Sequence, residues 1–143
     1  MKAYRPKYFA LKELVPPGIL AKYEEQSWWF FDDRLLRAAD LLRESFGPMY
    51  VNTWGLSDTV QKAYGVRVAA GLRLPWMSEE YRLSSQHAHG RALDALFRDA
   101  TSDEVRAAIK SDRELFSMIT EIEEGVGWVH FGTRNTGGEL HIF

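Results

Sequence analysis

The chain contains no cysteine among its 143 residues, and this absence excludes three kinds of chemistry. Without thiols there is no disulfide bridge, no thiolate nucleophile and no cysteine ligand for a metal ion. Any metal must therefore be held by histidine, aspartate or glutamate. Histidine is scarce as well, with four in the whole sequence, so places where two histidines lie close together are the first candidates for a metal site.

The sequence also lacks a strong charge of one sign and any long apolar run. A net charge of −2 with scattered basic residues argues against nucleic-acid binding, which needs a basic patch. No apolar run approaches the roughly 20 residues that span a bilayer. The opening "MKAYRPKYFALKEL" interrupts its apolar residues with charges, unlike a secretory signal peptide. We therefore expect a protein made in the cytoplasm, with no nucleic-acid partner and no membrane segment.

Internal repeats and Gly/Ser linkers are absent too, which predicts one domain spanning residues 1–143. Apolar residues at helical spacing between Asp32 and Gly47 predict one helix, and the capping pair Thr101 and Glu104 predicts a second. Short β-like runs occur elsewhere, namely "MYVNTW", "YGVRVAA", "SMITEIEE", "GWVHFG" and "ELHIF". Together they predict an α+β domain with a mostly antiparallel sheet flanked by helices.

The segment "SSQHAHGRALDAL", residues 84–96, holds two of the four histidines. As a helix it would carry His87 and Asp94 on one face, although Gly90 disfavours a helix by about 1 kcal/mol. As a loop followed by a strand it would use Gly90 for a tight backbone approach, and Ala92 and Asp94 would point the same way. Both alternatives bring an imidazole and a carboxylate together.

A third candidate ligand lies in "GVGWVHFG". On a strand, Trp128 and His130 face the same side, and the neighbouring indole partly desolvates the imidazole. Desolvation favours the neutral imidazole that a metal requires. His87, Asp94 and His130 would then form a three-ligand set with a fourth tetrahedral position left for water, as in catalytic zinc sites.

These residues carry a family resemblance. Ser85, His87, Gly90, Ala92 and Asp94 fit the pattern S-x-H-x-x-G-x-A-x-D, and "GWVH" supplies the later histidine. The chain thus resembles the zinc D-alanyl-D-alanine carboxypeptidase and L-alanyl-D-glutamate endopeptidase family, which cuts peptidoglycan stem peptides and includes many phage endolysins. Further stretches resemble a phage-associated branch of it, namely "YFALKELVPP", "VNTWG", "AGLR" and "ITEIEEGVGWVHFGTRNT".

The resemblance implies a hedgehog/D,D-peptidase-like fold with a zinc site on the sheet face. It assigns His87, Asp94 and His130 as zinc ligands and Ser85 as the residue that fixes the loop presenting His87. It also implies a hydrolase, specifically a metallopeptidase whose substrate is a peptidoglycan peptide. Whether the D-Ala-D-Ala terminus or the L-Ala-D-Glu bond is cut stays open.

Substrate and proton-transfer residues follow from the same resemblance. Arg73 matches the arginine of the family's S-G-x-R segment, which would grip a substrate carboxylate or carbonyl, and Trp128 would border the substrate. Family members with a glutamate three residues before the last histidine have it at the position of Gly127. Another branch of the family has more residues between this glutamate and the last histidine. By that spacing the general base is Glu123, with Glu124 as the alternative.

Glu121 and Glu123 share one face of the predicted strand "ITEIE", so facing alone does not distinguish these acids. Three features depart from the family pattern: Ala70 replaces a usual serine, Gly132 replaces an aspartate that is frequent in the phage branch, and the general base has a loosely defined spacing. A second interpretation is therefore a non-catalytic phage structural or cell-wall-binding module that retains the fold. A third interpretation is a fold that zinc stabilises but that catalyses no reaction. An active enzyme would reach the cell wall after release from the cell or as part of a phage particle.

Overall fold

The computed structural model describes residues 2–74, 77 and 84–143. Within them the elements are four α-helices, three 3-10 turns and five strands. The helices are α1 (Pro17–Tyr23), α2 (Asp33–Phe46), α3 (Asp58–Tyr64) and α4 (Ser102–Ser111), and the 3-10 turns are Leu11–Glu13, Glu24–Phe30 and Gln86–His89. The strands are β1 (Met49–Tyr50), β2 (Ala92–Phe97), β3 (Glu121–Ile122), β4 (Val129–Gly132) and β5 (His141–Ile142).

Both helices predicted from the sequence are present. Asp32 caps α2 by accepting a hydrogen bond from the backbone N–H of Arg34, and Gly47 follows its last turn with a φ of 84°. Thr101 and Glu104 form a reciprocal capping box at the start of α4, with bonds of 3.1 and 2.9 Å. No helix of the described part is long and apolar enough to cross a membrane.

The α+β class is confirmed, but the sheet is mixed, so the expectation of a mostly antiparallel sheet is wrong. Its order is β1-β2-β4-β3-β5, and β5 pairs with β3 in parallel. Strand β4 is already paired with β2 on one side and β3 on the other, so the chain that leaves β4 cannot pair with β4 again. It pairs instead with the outer edge of β3, in the same direction as β3.

Several element predictions differ from the structure. Only Met49–Tyr50 of "MYVNTW" is a strand, and "YGVRVAA" contains none. The sequence does not predict helix α1, because Pro17 indicates a break in secondary structure. Pro17 is the first residue of α1, where a proline is tolerated because the N–H groups of the first turn have no hydrogen-bond acceptor within the helix. Helix α3 has seven residues and no buried one, so it has no apolar periodicity to detect.

The sheet separates the core from the candidate site. Strand alternation directs Leu93, Ile122, Val129 and Phe131 into a core that also contains the buried face of α2. The intervening positions of β2 and β4 point to the opposite face. The polar residues of the candidate metal centre lie on that second face.

Candidate metal centre

His87, Asp94 and His130 converge on the outer face of the sheet. The loop-and-strand alternative is the correct one for residues 84–96: His87 lies in the 3-10 turn Gln86–His89, and Gly90 adopts a left-handed conformation before β2 begins. Asp94 in β2 lies directly opposite His130 in β4. A local turn and one cross-strand pair therefore bring together side chains that are 36 residues apart in the sequence.

The distances among these side chains suit a metal ion. His87 Nε2 lies 3.2 Å from Asp94 Oδ1, and His130 Nδ1 lies 2.9 Å from the same oxygen. All three ligand atoms lie within 4.8 Å of one another, and all three residues are buried. Tetrahedral zinc with ligands at about 2.0–2.1 Å would separate neighbouring ligand atoms by about 3.3 Å. The triad could therefore hold a metal ion with small adjustments.

A backbone carbonyl orients His87. Its Nδ1–H donates to the carbonyl of Gly71 over 2.8 Å, and since a carbonyl can only accept, the hydrogen must be on Nδ1. Nε2 is thus directed at Asp94 and available to a metal. Hydrogen bonding of the second ring nitrogen is the usual way in which proteins orient a metal-binding histidine.

A buried carboxylate orients His130. Its Nε2 lies 2.8 Å from Glu121 Oε2, while Arg134 donates through Nε to the other Glu121 oxygen. Glu121 is only 1% exposed. Sequence reasoning did not assign it this position. The signal available in the sequence was its place on the same predicted strand face as Glu123; that Glu121 lies opposite Gly132 on β4 is known only from the structure.

The segment 69–73 supports Asp94 from the other side. The backbone N–H of Asp94 donates to the carbonyl of Ala70 over 2.8 Å. The Arg73 guanidinium donates to the Ala69 carbonyl at 3.1 and 3.2 Å and to Asp94 Oδ2 at 3.4 Å. With Oδ2 held by Arg73, Oδ1 is the carboxylate oxygen that faces both imidazoles.

Electrostatics in this site favour an ionised pair in the absence of metal. Burial opposes the charge on Asp94, but the interactions with His130 and His87 outweigh it and lower its pKa. Burial likewise disfavours a charged His130, yet hydrogen bonds to Asp94 and Glu121 raise its pKa to about 9. The pKa of Glu121 is lowered: burial acts against the shift, and the bonds to His130 and Arg134 prevail. A bound cation would therefore replace the proton on His130.

Metal-free protein is expected to lose stability as the pH rises through about 9. The pKa of His130 is higher when folded than the ordinary value of 6.5, so its stabilising effect is complete below about 6.5 and disappears as the pH passes 9. Thermal unfolding from pH 6 to 10 measures this effect. Substituting His130→Gln should remove most of the decline, whereas His141→Gln, at an exposed position, should retain it; an equal decline in all three proteins would contradict the assignment.

A cavity of about 500 Å³ opens over the triad. It is lined by His87, Asp94 and His130 and also by the residues predicted for substrate and proton transfer, namely Arg73, Ser85, Glu123 and Trp128. All the site residues expected from the sequence thus meet in one cavity. Trp128 is 38% exposed and borders it as an accessible aromatic wall.

The two candidate general bases lie in different places. Glu123 is half-buried and lines the cavity of the triad. Glu124 pairs with Lys110 and lies 3.7 Å from Arg106, and it lines a separate depression of about 470 Å³. Of the two, Glu123 alone borders the candidate metal centre.

Ser85 stabilises the turn that carries His87. The backbone carbonyl of Ser85 accepts a hydrogen bond from the N–H of Ala88, whereas the Ser85 side chain makes no capping bond.

Gly132 leaves room for the Glu121 carboxylate. A Cβ atom at this position would lie 2.8 Å from the Arg91 carbonyl oxygen and 3.0 Å from Glu121 Oε2. A side chain at position 132 would therefore displace the Glu121 carboxylate or the Arg91 carbonyl. The negative charge next to His130 comes from Glu121 on the neighbouring strand.

Replacing Glu121 with glutamine is expected to weaken metal binding by about 10–100-fold, the usual cost of losing a partner that orients a metal ligand. The amide is nearly the same size but carries no charge to hold the His130 Nε2–H. Competition with a zinc-selective chromophoric chelator measures the change. Glu124→Gln, the same substitution outside the cavity, should leave affinity unchanged; equal affinities for both variants would refute this role.

Comparisons of the chain with protein-family models, curated proteins and solved structures each find no match.

Proposed function

We propose that this chain is a zinc-dependent metallopeptidase that hydrolyses peptidoglycan stem peptides, as a D,D-carboxypeptidase or an endolysin-like L-Ala-D-Glu endopeptidase. The observation that carries the proposal is the convergence of two imidazoles and one carboxylate under an open cavity. A site with three protein ligands keeps a position for water or substrate, whereas structural zinc sites are closed by four. The peptidoglycan substrate rests on the motif resemblance alone.

The donor set suits zinc. Imidazole nitrogen and carboxylate oxygen are ordinary zinc ligands, and the carbonyl of Gly71 and carboxylate of Glu121 orient the two rings. Zinc bound there would supply Lewis acidity for the scissile carbonyl and lower the pKa of the attacking water to about 7. His87, Asp94 and His130 would hold the ion, and Arg73 would keep the second Asp94 oxygen turned away from it.

Glu123 is the acid available for proton transfer. Asp94 and Glu121 also line the cavity, but each is engaged by histidine and arginine partners. Glu123 would take the proton from the attacking water and deliver it to the leaving amine, a role that general acid–base groups fill with about 10²–10⁴-fold rate gains. Trp128 would pack against an apolar part of the peptide beside the reacting bond.

The alternative is a phage structural or cell-wall-binding module that retains this fold without turnover. It is favoured by the departures from the family pattern at Ala70 and Gly132 and by the loosely defined spacing of the general base. Such a module would bind cell walls and release no amines. A peptidase made in the cytoplasm would act on the wall after release or within a phage particle.

Mass spectrometry of defined muropeptides, digested with zinc-loaded protein with and without chelator, separates these functions. We expect metal-dependent cleavage and a product mass that identifies the bond. Glu123→Gln should lower the rate at least about 100-fold while zinc remains bound, and Glu124→Gln should leave it unchanged. Cleavage by metal-free protein would overturn the proposal. Absence of cleavage with zinc bound, together with cosedimentation with cell walls, would establish the alternative.

A further inference from the structure

We propose that Arg134 is the receptor for a substrate carboxylate near the scissile bond, an inference that rests on the proposed peptidase function. Arg134 lines the cavity of the triad on the side of β3, whereas Arg73 lies on the side of β2. The substrate class that this geometry selects is a peptide that keeps a free carboxylate beside the bond to be cut.

The guanidinium of Arg134 is held at one end and open at the other. Its Nε donates to Glu121, and its two terminal nitrogens donate no hydrogen bond to another described residue. The side chain is 36% exposed, whereas its partner Glu121 is only 1% exposed. One nitrogen is therefore fixed to a buried carboxylate, and the remaining donors belong to a partly exposed side chain that lines the cavity.

The backbone around Arg134 is fixed as well. Thr120 donates through its hydroxyl to the Arg134 carbonyl over 2.5 Å, and the N–H of Thr133 donates to the Arg91 carbonyl over 2.8 Å. These bonds tie the end of β4 to both neighbouring segments. A guanidinium oriented in advance binds a carboxylate at lower entropic cost, because fewer rotamers are lost on binding.

Arg73 is less suited to this role than the motif resemblance implies. Its Nε and one terminal nitrogen are bonded to the Ala69 carbonyl, and that same nitrogen contacts Asp94. Using these donors for substrate would release Asp94 Oδ2. The contacts instead make Arg73 a positioning residue for Asp94, and they leave Arg134 as the cavity arginine with more free donors.

The charge of the cavity agrees with an anionic ligand only when a metal is present. Two arginines and three carboxylates line it, so with neutral histidines the side chains total minus one. A divalent cation changes that total to plus one. A carboxylate on Arg134 would then neutralise the site, and guanidinium–carboxylate pairs are frequently bidentate and about twice as strong as neutral hydrogen bonds.

Three synthetic stem peptides test the inference: L-alanyl-γ-D-glutamyl-L-lysyl-D-alanyl-D-alanine, its form amidated at the glutamate α-carboxylate, and its form amidated at the C-terminus. Their dissociation constants are measured by calorimetry on zinc-loaded Glu123→Gln protein, in which turnover is blocked. Arg134→Gln, Arg134→Lys and Arg73→Gln are each added to this background. Arg98→Gln, an exposed arginine paired with Asp99, is the matched control.

We expect one of the two amidations to weaken binding by roughly 10-fold or more. Arg134→Gln should abolish that difference without releasing zinc, Arg134→Lys should restore part of it, and Arg98→Gln should not change it. The inference fails if no peptide binds, if neither amidation matters, or if the difference survives Arg134→Gln. If Arg73→Gln alone abolishes the affinity difference between the amidated and unamidated peptides, Arg73 is the receptor. Carboxylate preference without cleavage by the unsubstituted protein would instead refute only the peptidase proposal.

Discussion

Replacing Asp94 with asparagine is expected to abolish metal binding. The side chain keeps its size but loses the charged oxygen that lies 3.2 Å from His87 and 2.9 Å from His130. Loss of a direct ligand should cost more than the about 10–100-fold that follows from losing a residue that only orients a ligand. Zinc stoichiometry and chelator competition measure the loss directly.

The same substitution should also destabilise the metal-free protein. His130 would keep Glu121 as a counter-charge but lose its partner in β2, and breaking a buried ion pair typically costs about 3–5 kcal/mol. We expect the low end of that range in urea unfolding, because one carboxylate remains. Asp99→Asn, in an exposed pair with Arg98, should change neither measurement. Full zinc occupancy in Asp94→Asn would exclude Asp94 as a ligand.

Alanine at Gly90 should be among the most destabilising single changes in the chain. Its Cβ would lie 1.7 Å from the carbonyl oxygen of Phe30, and Gly90 also has a positive φ of 65°. Backbone atoms cannot move aside as a flexible side chain can, so we expect a loss above about 3 kcal/mol or failure to fold. Because Gly90 lies between His87 and Asp94, zinc affinity should fall as well.

Gly137→Ala separates the steric clash from backbone strain. Gly137 has a similar φ of 72°, but a Cβ there would meet nothing within 4 Å. Its substitution should therefore cost only the about 1–2 kcal/mol of a left-handed alanine. Urea unfolding of both variants gives the comparison. Equal losses at the two glycines would mean that the close approach to Phe30 is not the cause.

The cluster of His87, Asp94 and His130 could be predicted from the sequence because all but one of its determinants are local. His87 and Asp94 are seven residues apart with a glycine between them, and both alternatives considered for that segment bring them together. Alternation on β4 puts His130 on one face whatever the register of neighbouring strands. Pairing of β2 with β4 then completes the site, and Asp94 opposite His130 is the one long-range element that it requires.

Glu121 and Arg134 could not be assigned in this way. Positions 121 and 123 have the same parity, so alternation alone cannot tell which acid reaches His130 and which stays open to the cavity. The difference depends on the register of β3 against β4, where Glu121 lies opposite Gly132. The strand predicted in "ELHIF" is present as β5, but its parallel pairing with β3 was not expected, because it depends on which sheet edge the chain joins after β4 has paired on both sides.

Anomalous diffraction at the zinc edge, from crystals of the zinc-loaded protein, tests the central claim most directly. The account predicts one peak at about 2.0–2.2 Å from His87 Nε2, Asp94 Oδ1 and His130 Nδ1, with the remaining coordination position facing the cavity. A peak held by other residues, ligation through the ring nitrogens that face Gly71 and Glu121, or no peak at full zinc saturation would contradict it.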